Sequence, residues 1–194
     1  MKTAIIIHGM PDKENYFNPS SDSQSNCHWL PWLQQQLIAK GILAQTPEMP
    51  VPYEPDYAAW CEIFERLAPD EETLLVGHSL GGGFLVRWLS EHTVKVGPVM
   101  LVAPWTDPDN EMRDALGNFF DYEIDPDLVS RTDGMTIFYS TDDEANIIKT
   151  SEILEKSLKG SRTMKFEGKG HFCLRNLGTR EFPELLQEAL QTNR

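Results

Sequence analysis

Gly77-His78-Ser79-Leu80-Gly81 is the segment of this chain best suited to covalent chemistry. It follows the apolar run Thr73 to Val76 and precedes a stretch with helical patterning, so the serine falls at a strand-to-helix turn. So tight a turn strains its central residue and lifts the hydroxyl above the carboxyl end of a sheet. Glycines two positions away on either side remove the side chains that would collide there. Gly82 and Gly83 extend the small surface and let the following helix sit close to the sheet. A serine hydroxyl is a weak nucleophile at neutral pH, so the turn implies a base to accept its proton and an acid to orient that base.

For a nucleophile raised in this way the acid and the base follow it in the chain, in that order. His92 and His171 are the histidines beyond Ser79. His92 sits at the far end of the helix that leads away from Ser79 and reads as a surface residue. His171, in Gly168-Lys169-Gly170-His171-Phe172, follows the last strand and is the candidate base. Asp142 and Asp143 follow the fifth strand, and either could accept a hydrogen bond from an imidazole N–H, with the other capping the helix that begins near Ala145. Spacing does not choose between neighbours. The oxyanion needs two donors: the N–H of Leu80, next to the nucleophile, and the N–H of Met10, in the His8-Gly9-Met10 loop after the first strand. His8 and His78 read as structural, His8 by packing against the turn to shape that loop.

Together these residues imply acyl transfer to water. Ser79 attacks an ester, thioester or amide carbonyl while His171 takes its proton, and the acyl-enzyme is then hydrolysed, with no metal and no cofactor required. A non-catalytic binding module on the same fold is the competing reading from another class. An acyltransferase or peptidase using the same three side chains is the competing enzyme. Trp29 and Phe119 are the candidates for lining an acyl pocket, with Trp32 and Phe120 beside them, although aromatics at helical spacing also serve as core.

The elements that must position these groups alternate along the whole chain. Apolar runs at Thr3–Ile7, Ile42–Gln45, Thr73–Val76, Pro98–Val102, Met135–Tyr139 and Thr163–Phe166 read as buried parallel strands. Between them lie amphipathic stretches: Trp29, Leu33, Leu37 and Lys40, ended by Gly41; Tyr57, Trp60, Phe64 and Leu67, capped by Asp56; Leu80 to His92; Ile148, Leu154 and Leu158; and Phe182, Leu186 and Leu190. The pattern predicts an α/β fold, a three-layer α/β/α sandwich in one domain over residues 1–194. Ala103 to Gly134 is too long for a simple connection and reads as a lid-like insertion after the fourth strand, or as one with short helices of its own. From Trp105 to Asp133 it holds nine acids against Arg113 and Arg131, which would discourage anionic acyl groups if it bordered the site.

Composition sets the remaining bounds. The 194 residues are 40% hydrophobic and 24% charged, with 13 Gly and 13 Pro spread along the chain, which excludes disordered and collagen-like proteins. Thirty acids against 17 Lys and Arg give a net charge of −13, a field that repels nucleic acid and anionic membranes. No segment approaches the roughly 20 apolar residues of a membrane span, and the start lacks a signal-peptide core, so a cytoplasmic address is expected. Cys27, Cys61 and Cys173 are odd in number and lack CxxC spacing, which indicates reduced thiols rather than disulfides or zinc ligands.

The chain resembles the small α/β-hydrolases of the YdeN-like, retinoblastoma-binding serine hydrolase family over nearly its whole length. Besides Gly77 to Gly81, the likeness rests on Cys27-His28-Trp29-Leu30-Pro31-Trp32, on Met49-Pro50-Val51-Pro52 followed by Asp56 and Trp60, on Leu101-Val102-Ala103-Pro104, and on Gly170-His171-Phe172. The resemblance implies a sheet of six strands in the order 2-1-3-4-5-6 and a Ser-Asp-His triad whose acid is the first of the Asp-Asp pair, Asp142. Two departures stand beside it: Glu144 where the family usually has a proline after the pair, and Tyr139 where it has a glycine. Leu67-Ala68-Pro69-Asp70-Glu71 also lacks the cysteine of the family's L-x-C-x-E segment, so binding of pocket proteins is not implied. The expected partner is a small-molecule acyl substrate, and no protein partner is indicated.

Overall fold

The computed structural model describes residues 2–191. Six parallel strands form one sheet in the order β2-β1-β3-β4-β5-β6: β1 (Thr3–Ile7), β2 (Leu43–Gln45), β3 (Thr73–His78), β4 (Val99–Val102), β5 (Met135–Ser140) and β6 (Arg162–Phe166). The inner strands are apolar without alternation because both faces are covered. The edge strand β6 instead carries Arg162 and Lys165, charges that discourage pairing with another chain.

Around the sheet run α1 (Lys13–Tyr16), α2 (Leu30–Ala39), α3 (Tyr57–Glu65), α4 (Leu80–Glu91), α5 (Arg113–Leu116), α6 (Ala145–Ser157), α7 (Leu174–Leu177) and α8 (Pro183–Gln191). Pro31 stands in the first turn of α2, where its missing N–H has no partner to lose. Asp56 caps α3 by accepting from the N–H of Ala59 at 2.8 Å. The chain winds from β1 to one side and from β2 back across to β3. Right-handed crossovers therefore send α2 and α3 to opposite faces. α2 packs with α8, and α3 packs with α4 through Trp60 and Phe64 against Phe84 and of Phe64 against Trp88.

The winding reverses between β1 and β3, and ligands of open α/β sheets bind outside the carboxyl ends of strands at such a reversal. The register pairs Ile7 with Gly77, so His8 to Met10 leave the sheet beside His78 and Ser79. Among the described residues no helix is long and apolar enough to cross a membrane.

Two expectations are refined. The Ala103–Gly134 insertion carries its own short helices, α5 and a 3-10 turn at Leu128–Arg131, and is fastened to the helical layer. Arg87 of α4 donates to the carbonyls of Asn118 and Phe119 at 2.6 and 2.8 Å and lies 3.6 Å over the Tyr57 ring, and Phe119 is fully buried against Tyr57, Trp60 and Phe84. The fully buried residues of α8 are Leu185, Glu188 and Ala189, with Leu186 and Leu190 partly buried against the core beside them and Phe182 buried just before the helix.

Candidate active site

Ser79 adopts φ 55° and ψ −119°, a strained conformation for a residue with a side chain. Its neighbours hold it there. The Ser79 N–H donates to the carbonyl of Val102 at 2.9 Å, and its own carbonyl accepts from Gly82, Gly83 and Trp105 at 2.9, 3.1 and 3.0 Å. Glycine is required at two of the flanking positions: a Cβ on Gly77 would stand 2.6 Å from the Gly81 carbonyl oxygen, and one on Gly81 would stand 2.5 Å from that of Ile7. The turn anticipated from the sequence is thus built by close backbone approach between β1, β3 and the start of α4.

His171 is carried by the loop after β6, with its side chain one-fifth exposed. Its Nδ1 lies 3.1 and 3.0 Å from Oδ1 and Oδ2 of Asp143, whose side chain is almost wholly buried. The structure therefore brings Asp143, not Asp142, to the imidazole. Asp142 turns to the backbone of the same loop. Its carboxylate accepts from the Ser140 hydroxyl and from the N–H groups of Gly168 and Gly170 at 2.9 and 3.2 Å. The Ser140 hydroxyl in turn accepts from the N–H of Lys169 at 3.1 Å. The Ser140 hydroxyl, followed by these amides, holds the Asp142 carboxyl below the usual carboxylate range. One aspartate thus contacts the His171 imidazole and the other fastens the loop that carries it.

The two histidines read as structural take part in the positioning. His78 Nε2 donates to the carbonyl of His171 at 2.9 Å, which fixes its tautomer and ties the loop to the end of β3. Burial first, with His171 and His28 nearby, pushes the His78 pKa well below the ordinary imidazole value. His8 is held by both ring nitrogens: Nδ1 lies 2.8 Å from the Gly9 carbonyl, and Nε2 accepts from the N–H of Met49 at 2.9 Å. A carbonyl only accepts and an amide only donates, so the proton sits on Nδ1. Burial lowers the His8 pKa and keeps that neutral form. With the Gly9 carbonyl turned toward His8, the trans peptide directs the Met10 N–H the opposite way. The N–H of Leu80 is the first of α4 and has no partner within its helix.

Ser79, His171, His8, Gly9, Met10 and His78 line one cavity of about 50 Å³, together with Gln24, His28, Leu30 and Cys173. His28 was not among the residues expected at the site. It sits at φ 57°, accepts from the N–H of Leu174 at 3.2 Å and stands edge-on to His78. The signal for it was its place in the segment Cys27 to Trp32. Met10, Gln24, His28 and Cys173 also border a neighbouring groove of about 750 Å³. Trp29 and Phe119, the expected pocket residues, lie elsewhere: both are fully buried, Trp29 edge-on to His78 and Phe182, Phe119 under α3 and α4. Helix-side aromatics of this size went to the core because each removes a large apolar area from water. Among the described residues, no three or more His, Cys, Asp or Glu side chains are grouped so as to hold a metal ion.

Comparison with known proteins agrees with this architecture. The YdeN protein of Bacillus subtilis (strain 168) is 32% identical over 106 residues, 53% of this chain and 50% of YdeN, so the aligned sequence spans about half the length of that curated relative. The crystal structure of YdeN superposes with a TM-score of 0.81 at 25% identity, covering 99% of this chain and 98% of that one. A YdeN-like protein of Pectobacterium atrosepticum shares the fold at a TM-score of 0.66 and 16% identity, over 98% and 91% of the two chains. A monoacylglycerol lipase of Paleococcus ferrophilus does so at 0.65 and 13%, over 98% and 94%. The profile of the serine hydrolase family matches residues 17–189, and the chain belongs to that family.

Proposed function

We propose that this protein hydrolyses a carboxylic ester, thioester or amide through an acyl-enzyme on Ser79, with His171 as general base and Asp143 as its orienting acid. The reading rests above all on one observation: Ser79 and His171 line the same cavity while the far nitrogen of the imidazole meets a buried carboxylate at 3.0 Å. In that tautomer Nδ1 carries the proton and Nε2 is free to take the one from Ser79 as its oxygen attacks the carbonyl carbon. The imidazolium that forms is stabilised by Asp143 and returns the proton to the leaving group. The N–H groups of Met10 and Leu80 are the donors for the tetrahedral oxyanion. Water activated by His171 then releases the acyl group and restores Ser79. Labelling with a fluorophosphonate probe tests the assignment: wild type takes up the probe and Ser79→Ala does not. Equal labelling of the two proteins refutes it.

A further inference from the structure

The groove that adjoins the Ser79 cavity differs in charge from the rest of the molecule. Asp12 and Asp22 face Arg175 and Arg180 along its wall, parity in a chain that has 30 acids to 17 bases. Neither acid is bonded to Arg175. Asp12 accepts from the backbone and side-chain amides of Asn15, at 2.8 and 2.6 Å, and Asp22 pairs with Arg180, which also donates to the carbonyl of Asn26 at 3.0 Å. Arg175 is exposed and has neither a hydrogen bond nor an ion pair with any described residue. Met10, Pro11, Cys27, Cys173 and Leu174 supply apolar wall. Both guanidiniums lie close enough to His28 to act on it. Burial first, then His171, Arg180 and Arg175, push its pKa down to about 4, so the imidazole shared by cavity and groove is neutral at physiological pH. The acid-rich insertion between β4 and β5 supplies no lining residue to either cavity.

We propose that the groove takes a short aliphatic chain ending in a carboxylate, that Arg175 binds that carboxylate, and that the preferred substrates of the Ser79 site are anionic esters. The proposal rests on the serine-hydrolase reading of Ser79. A guanidinium without an internal partner presents two parallel N–H donors to a carboxylate, and the apolar wall covers the methylenes between carbonyl and anion. This reverses the preference expected from the acidic insertion, whose charges lie outside the site and are screened beyond about 8 Å at physiological ionic strength.

The test uses two matched pairs of esters. In the first, the p-nitrophenyl ester of pentanoic acid is compared with the p-nitrophenyl monoester of glutaric acid, which places the carboxylate on the acyl side. In the second, butyrate esters of an alkanol and of a carboxyalkanol place it on the alcohol side. The readout is the ratio of kcat/KM, charged over neutral. Wild type is expected to favour the charged member of one pair by about two- to fivefold, the size of an exposed ion pair, and the pair that responds identifies the side lying in the groove. Arg175→Gln brings that ratio to about one, Arg175→Glu takes it below one, and added salt shrinks it in wild type. A ratio at or below one in both pairs, or a preference that survives in Arg175→Gln, overturns the proposal. Fluorophosphonate labelling is run on the same protein samples. A labelled enzyme with no charge preference loses the groove assignment alone, whereas an unlabelled wild type loses both readings.

Discussion

Asn at position 143 and Asn at position 142 should have opposite consequences, although the two residues are adjacent. Asp143 has its side chain almost wholly out of water and touches Nδ1 of His171 with both oxygens. Asparagine there keeps the size and can still accept one hydrogen bond, but no charge remains to balance the imidazolium. In serine proteases the same change lowers kcat by about 10⁴, which is roughly 5.5 kcal/mol of transition-state stabilisation. That magnitude is expected for Asp143→Asn, with KM little changed. Asp142 is exposed and bonds to Ser140 and two loop amides, none of which takes part in proton transfer. Asp142→Asn should lower kcat by about tenfold or less, by loosening the loop that carries His171. Its signature is in the pH dependence of stability. A carboxyl held low in the folded state contributes stability above its unfolded pKa of about 4, and that contribution is lost as pH falls through the folded value. Wild type should therefore lose Tm on acidification more steeply than Asp142→Asn, whereas at neutral pH the variant is the less stable of the two. Steady-state hydrolysis of a p-nitrophenyl ester and thermal melts across the acid range measure both effects. If Asp142→Asn loses the 10⁴ and Asp143→Asn stays within tenfold, the assignment of roles is wrong.

Other perturbations bear on the remaining parts. His8→Phe keeps a ring beside Trp60 but strands the Gly9 carbonyl and the Met49 N–H, so stability should fall by about 2–4 kcal/mol in urea titration. In the same variant kcat should fall by about 10- to 100-fold as the Gly9-Met10 peptide is freed, and an unchanged kcat would dissociate His8 from the Met10 donor. Gly81→Ala drives a methyl group to 2.5 Å from the Ile7 carbonyl oxygen and should destabilise by at least about 2 kcal/mol; an unaltered urea midpoint contradicts the packing described. Phe119→Ala should remove about 3–5 kcal/mol while the kcat of the folded fraction, counted by fluorophosphonate titration, stays within twofold. A changed ester specificity in that variant would return Phe119 to the pocket.

Most of the frame was legible because it depends on local signals. Six apolar runs mark six strands, Asp56 caps the helix it was expected to cap, and Gly77 and Gly81 flank the turn at Ser79, where a Cβ on either would collide with backbone. What the sequence hid depends on long-range closure. Trp29 and Phe119 are equally good as core or as pocket until it is known which way their segments face, and Arg87 reaching the carbonyls of Asn118 and Phe119 is what draws the insertion inward. The groove lies between residues 10–28 and residues 173–180, two stretches of little periodicity far apart in the chain. Neither one alone suggests a wall.

The aspartate pair shows why adjacency defeats spacing arguments. Both residues lie in the turn after β5, closed by the Asp143 N–H donating to the Ser140 carbonyl at 3.3 Å, and in such a turn one carboxylate can face the core while its neighbour faces outward. Which one faces inward is set by where β5 stops and how the chain turns after Ser140. Here the strand runs through Ser140, the N–H of Thr141 still bonds to the carbonyl of Phe166, and the turn that follows buries Asp143 and leaves Asp142 outside. Asp142 is then left beside the three successive amides of residues 168–170, where its carboxylate and the Ser140 hydroxyl bind all three. The second acid is not redundant in this arrangement. A loop with glycines at φ +73° and +46° on either side of Lys169 has little intrinsic preference for one conformation, and a fixed anion beneath its N–H groups selects the one that brings His171 to Asp143.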